Sequence, residues 1–170
     1  MKRPARILLI LSVILLAIAG CGIYSFSGTS IQPDVKTICI EPVVNKATKI
    51  NPSLANMLTE ELNDKFRKLT RLEQVTEDGD LNLLVTIESY DVRAAAVTAE
   101  EVAAMNRLTV TCKIIFTNVL HEEDNIEGQS FAAYEDYDSN YSLDMVENQL
   151  CETIVKKIVE DIFNATVAQW

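Results

Sequence analysis

The chain has 170 residues, 48% of them hydrophobic, with 15 Lys and Arg against 25 Asp and Glu and a formal charge of −10. That length suits one domain with a real core. So acidic a chain lacks the Lys and Arg patches that nucleic-acid phosphates require, and charge alone would not hold it on anionic lipid.

The first twenty residues read as a targeting signal. Lys2, Arg3 and Arg6 form a basic start, Ile7 to Ile18 is apolar, and Ala19 and Gly20 are small residues just before Cys21. An apolar run of about a dozen residues is too short to span a bilayer core, which takes about 20. The run Leu16-Ala17-Ile18-Ala19-Gly20-Cys21 resembles a bacterial lipobox. It implies cleavage before Cys21 and acylation of that residue. Cleavage leaves 150 residues with 12 cations against 25 acids, a charge of −13. Membrane attachment is then expected through several acyl chains on Cys21, since a single chain gives only marginal binding.

Residues 21–34 read as a lipidated tether rich in Gly, Ser and Thr, and residues 35–170 as one domain. Val35 to Val44 alternates as a first strand, with Pro42 weakening it where it cannot donate to a ladder. Asn51-Pro52 opens a helix that runs to Leu69, with Leu54, Met57, Leu58, Leu62, Phe66 and Leu69 forming its apolar stripe. Leu72 to Val75 reads as a short extended segment, and Glu77 to Asp80 as a turn. Leu81 to Val92 alternates with Leu83, Val85 and Ile87 on one face. Arg93 to Asn106 reads as a linker, a loop or short helical turn. Arg107 to Leu120 is the strongest strand pattern, with Leu108, Val110, Cys112, Ile114 and Phe116 facing one way. Gln129 to Tyr137 is the last strand, and Ser142 to Val167 a long helix.

The expected architecture is α+β: a two-layer sandwich, β-α-β-β-β-α, with a four-stranded sheet carrying two amphipathic helices on one face. Short connections make the last three strands an antiparallel meander. The sheet's other face carries Thr, Lys and Glu, and is wet or bound to a partner.

No catalytic constellation stands out. GxSxG, Walker and HExxH patterns are all absent, and His121 is the one histidine, flanked by Glu122, Glu123 and Asp124. It reads as a surface residue of an acidic turn. Glu135, Asp136 and Asp138 lack the EF-hand pattern. With no CxxC and no Cys/His cluster, no metal site and no cofactor are expected, and Cys39, Cys112 and Cys151 read as small buried hydrophobes.

Several short runs together resemble the LptE family of lipopolysaccharide-assembly lipoproteins, in its Bacteroidota form. They are Cys21 to Ser30, Ile40-Glu41-Pro42, Ile50-Asn51-Pro52-Ser53-Leu54, Ala103 to Leu108, and Ile162-Phe163-Asn164. The resemblance implies a non-catalytic outer-membrane lipoprotein on the periplasmic side. Its partner would be an LptD-type β-barrel, which it plugs and assists in lipopolysaccharide assembly. Lipopolysaccharide itself is a further implied partner. Relatives meet its phosphates with basic residues, whereas this chain is acidic and shows no matching basic positions. Two alternatives are a lipid-anchored periplasmic hydrolase and a generic lipoprotein that binds a soluble periplasmic partner. Candidate partner-binding residues are Tyr24, Phe26 and Ile31 in the tether, and Met105, Asn106 and Arg107 at the linker exit. Tyr24, Phe26 and Ile31 are unusually apolar for a linker, with packing on the domain's own edge as the competing expectation. Arg107 is a scarce cation suited to a phosphate or a barrel carboxylate.

Overall fold

The computed structural model describes residues 31–49, 51–95 and 104–168. Its elements in chain order are β1 (Thr37–Ile40), β2 (Val44–Asn45), α1 (Leu54–Leu69), β3 (Glu73–Val75), β4 (Leu81–Ala94), β5 (Met105–Asn118), β6 (Ile126–Asp138) and α2 (Leu143–Thr166). A 3-10 turn at Glu122–Asp124 lies between β5 and β6.

Among the described residues the sheet has six strands, not four. Its order is β3-β1-β4-β5-β6, with β2 also on β4. The two additional strands are two and three residues long, too short for a period-two signal. β4, β5 and β6 form the expected antiparallel meander. The other pairings are parallel: β1 with β3 and β4, and β2 with β4. β1 stops at Ile40 because Pro42 cannot donate, and β2 resumes on the same edge of β4. β4 and β5 also reach further than expected. Arg93 and Ala94 pair with Arg107 and Asn106, so both ends of the expected linker are strand.

β3 and β4 run parallel on either side of β1. Residues 76–80 join them by crossing β1's outward side, where Cys39 donates from Sγ to the Thr76 carbonyl at 3.3 Å. Asp80 accepts from the backbone N–H groups of Lys36 and Thr37 at 2.8 and 3.0 Å. The crossing buries Cys39, which alternation alone would leave outside. Gly79 permits it: a Cβ there would lie 2.6 Å from Cys39 N and 2.6 Å from Leu81 O.

Both helices cover one face. Leu54, Leu58, Leu62 and Phe66 of α1 and Ile154, Ile158 and Ile162 of α2 share one core with Leu83, Val85, Ile87, Leu108, Val110 and Ile114. The stripes therefore bury as their spacing requires, except at the end of α1, where Leu69 is 47% exposed, and at Met57, which is half-buried. Phe66 and Phe163 meet edge to face at 5.1 Å between centroids. α1 starts at Leu54, two residues later than expected, after a turn at Pro52 and Ser53 that Asn51 holds: its Oδ1 accepts from the N–H groups of Ser53 and Leu54 at 2.9 and 3.2 Å. Cys39, Cys112 and Cys151 are free and buried. Burial pushes the thiol of Cys112 up to about 12 and that of Cys151 to about 11.

Two bulges set which side chains face out. The β4–β5 register shifts between Ile87 and Ser89. The inward phase of β4 thereby moves from Ile87 to Tyr90, which is buried and donates its hydroxyl to Glu147 of α2. The β5–β6 register shifts near Gly128, whose φ is +77°, a conformation glycine adopts freely.

Candidate functional site

Among the described residues the helices leave the other face of β4, β5 and β6 open, and its chemistry concentrates at the end where β4 leaves and β5 returns. Arg107 pairs across β5–β6 with Asp136 and across β4–β5 with Arg93. The guanidinium grips Asp136 with two bonds, Nε to Oδ1 at 2.7 Å and Nη2 to Oδ2 at 2.8 Å. It also lies over the Tyr134 ring, 3.8 Å from the centroid. A planar cation clamped on a carboxylate and stacked on an aromatic is an arrangement lysine cannot reproduce. Arg107 holds the Asp136 carboxyl below the usual carboxylate range, and Asp136 raises Arg107. Both groups are substantially exposed, so the pair adds little to stability. It fixes the shape of the surface.

Beside this pair lies a hollow of about 310 Å3, lined by Arg93, Ala94, Ala95, Met105, Arg107, Thr109 and Asp136. Arg93 bonds Asp91 through Nε at 2.6 Å. Tyr134 is 49% exposed despite its ring contact with Arg107. The face thus offers an aromatic, two guanidiniums and a thioether side chain, with polar Thr109 and Thr111 further along β5.

The expected site residues distribute as follows. Met105 and Arg107 lie on the open face, while Asn106 falls in the opposite register, paired with Ala94 and Tyr137. Arg107 is not a free cation, because Asp136 already satisfies it. Tyr134, Asp136 and Arg93 complete the site, and sequence reasoning did not place them there. Alternation supplies the signal, but only once the Gly128 bulge fixes the β5–β6 register. Cys21, Tyr24 and Phe26 lie outside the described residues. Ile31 is half-buried and packs against the core, the competing expectation for the tether.

The neighbouring acids do not converge. Asp136 goes to Arg107 and Glu135 to Lys157 of α2, while Asp138 accepts from the Asn140 N–H at 2.8 Å. Among the described residues no group of three His, Cys, Asp or Glu side chains is placed to hold a metal.

His121 lies at the other end of the sheet, where β5 turns into β6. Its Nε2 meets Asp34 at 3.0 Å and its Nδ1 lies 3.7 Å from Glu123. The adjacent Gln32 donates from Nε2 to Asp124 at 2.6 Å. His121 therefore clasps the segment leading into β1. Asp34 raises the imidazole above its ordinary value, and His121 lowers Asp34.

A family model described as LptE, lipopolysaccharide assembly, matches residues 35–166. The chain belongs to the LptE family. The match spans all eight elements of this LptE-family domain, from β1 to α2. No curated protein matches the chain by sequence. Among solved structures, it is similar to a neuraminyllactose-binding hemagglutinin homolog from Helicobacter pylori. That pair has a TM-score of 0.56 at 12% identity, covering 82% of this chain and 87% of the other. It is also similar to a minor lipoprotein from Acinetobacter baumannii, with a TM-score of 0.48 at 12% identity, covering 75% and 89%. At such identity the likeness to the Helicobacter protein speaks for the fold alone.

Proposed function

We propose that the protein is a non-catalytic, lipid-anchored component of the outer-membrane lipopolysaccharide translocon. On this reading Cys21 carries acyl chains on the periplasmic side, and the domain plugs and assists an LptD-type barrel. The observation that carries the proposal is the LptE-family match across residues 35–166, essentially the whole folded domain. The open sheet face supports it, because a barrel lumen is polar and hydrated. A surface of threonines, charges and an exposed tyrosine, with Val44 and Ile115 as its exposed apolar side chains, suits such a wall better than a wholly apolar one would. Tyr134, Met105, Arg107 and Arg93 are the contacts assigned to the barrel, with Asp136 holding Arg107 in place. Tyr24 and Phe26 extend the contact along the tether.

Affinity purification of the full chain from solubilised membranes tests this. Recovery of a large outer-membrane β-barrel supports the proposal. Recovery of only a soluble periplasmic protein refutes it in favour of a generic lipoprotein role.

A further inference from the structure

The two ends of the sheet differ in kind. The segment leading into β1, the last turn of α1, the β5–β6 turn and the end of α2 all gather at one end. Ile31, Leu81, Asn118 and Val167 meet there around one small cavity, and Thr37 pairs with Glu73. The β4–β5 connection lies at the other end, about 45 Å away for fourteen-residue strands at about 3.3 Å per residue. Ile31 follows Cys21 by only ten positions, so the tether reaches at most about 35 Å. The first end is the one an anchor at Cys21 holds near the membrane.

That end carries features the barrel-facing surface does not use. Leu69, Val119 and Leu120 are 47%, 61% and 48% exposed there. A groove of about 340 Å3 runs between the lead-in segment and the turn after α1, with Ile31, Pro33, Val35 and Leu72 as its apolar lining and Lys36 and Arg71 as its cations. Both cations are exposed. Lys36 donates one bond from Nζ to the Pro33 carbonyl, which leaves two donors. Among the described residues no carboxylate is within ion-pair distance of Arg71. Three acids at this end are already engaged: Asp34 and Glu123 by His121, and Asp80 by the Lys36 and Thr37 amides. Glu73 and Glu122 are exposed.

We propose that this groove seats the phosphodiester of a phospholipid in the leaflet that holds the anchor. Lys36 and Arg71 take the phosphate, the apolar lining takes the glycerol end of the chains, and Leu69, Val119 and Leu120 rest in the headgroup layer. The inference rests on the anchor at Cys21. It gives the domain a fixed upright orientation, with the Arg107 end pointing away from that leaflet.

The test uses full-chain protein with vesicles of phosphatidylethanolamine and phosphatidylglycerol that contain a phospholipid with a photoactivatable headgroup. Labelled peptides are expected at residues 31–36 and 69–72. Lys36→Gln with Arg71→Gln should cut that labelling roughly ten-fold or more, as the loss of two basic contacts to lipid phosphate implies. Lys46→Gln with Lys113→Gln, an equal charge change on exposed residues along the open sheet face, should leave it unchanged. Labelling that survives the first pair, or that falls mainly at residues 104–107, overturns the proposal. Displacement of the label by stoichiometric lipopolysaccharide overturns the assignment to phospholipid. The anchor is read separately: wild type should float with the vesicles and Cys21→Ser should not. Equal flotation refutes the anchor, while the labelling pattern still reports on the groove.

Discussion

Replacing Gly79 by alanine tests the crossing that locks β1 between β3 and β4. The new Cβ would lie 2.6 Å from Cys39 N, 2.6 Å from Leu81 O and 3.0 Å from Ile38 C. All three are backbone atoms in the ladder, so no side chain can swing aside. The crossing must lift, straining the bonds from Asp80 to the Lys36 and Thr37 amides and from Cys39 to Thr76. Overpacking of this kind costs about 1–3 kcal/mol, and rigid neighbours put Gly79→Ala near about 3 kcal/mol. Gly128→Ala is the control. Gly128 has the left-handed φ of +77°, yet its Cβ would meet only the far end of Lys113, at 2.7 Å from Cε. That side chain can move, so the cost is mainly the backbone conformation, about 1–2 kcal/mol. Urea unfolding at constant m measures both losses. Uncovering of Cys39 to a thiol reagent in native Gly79→Ala, and not in Gly128→Ala, gives a second readout. A smaller midpoint shift for Gly79→Ala than for Gly128→Ala would refute the packing argument.

Three further outcomes are expected. Leu58→Asp and Ile158→Asp should each unfold the domain, because both side chains are fully buried and an unpaired carboxylate there costs several kcal/mol at least, a large share of a total of about 5–15 kcal/mol; Glu61→Ala should shift stability by less than about 0.5 kcal/mol, and equal melting temperatures for all three would show the helix faces to be misassigned. The His121–Asp34 clasp should stabilise most in mildly acidic solution. The raised imidazole contributes fully below its ordinary value of about 6.5 and fades as pH rises through its raised value, while the lowered Asp34 loses its share only as pH falls through its own depressed value. The urea midpoint of wild type minus that of His121→Gln should therefore shrink from pH 6 to pH 9, and a flat difference would show the clasp to be silent. Photo-crosslinkers at Phe26, Met105 and Arg107 should capture the barrel more strongly than one at Glu152 on the helix layer; capture from Glu152 alone would place the docking face on the helices.

Local sequence determined a good deal of this protein. The three- and four-residue spacing in α1 and α2 set which face each helix buries, since that face must leave water whatever it packs against. Asn51 set where α1 begins, and Pro42 where β1 ends, because capping and the missing N–H act within a few residues. Alternation along Leu81 to Ile87 and Leu108 to Phe116 set the inward side of β4 and β5. The run that resembles a lipobox and the short runs that resemble LptE pointed to the family that the match over residues 35–166 shows. Tertiary structure decided the rest. β2 and β3 are too short to show a period and exist only because β4 and β1 offer them partners. The length of β4 and β5 was hidden because Arg93, Ala94, Met105 and Asn106 show no apolar pattern of their own and are strand through pairing with a neighbour: Arg93 with Arg107, Ala94 with Asn106, and Met105 with Asp138 of β6. The site at Arg107 depends on Tyr134 and Asp136, nearly thirty residues away in sequence. Which residue of β6 stands opposite Arg107 follows from a one-residue bulge at Gly128, and a period-two pattern is blind to such a shift until the neighbouring strand is in place.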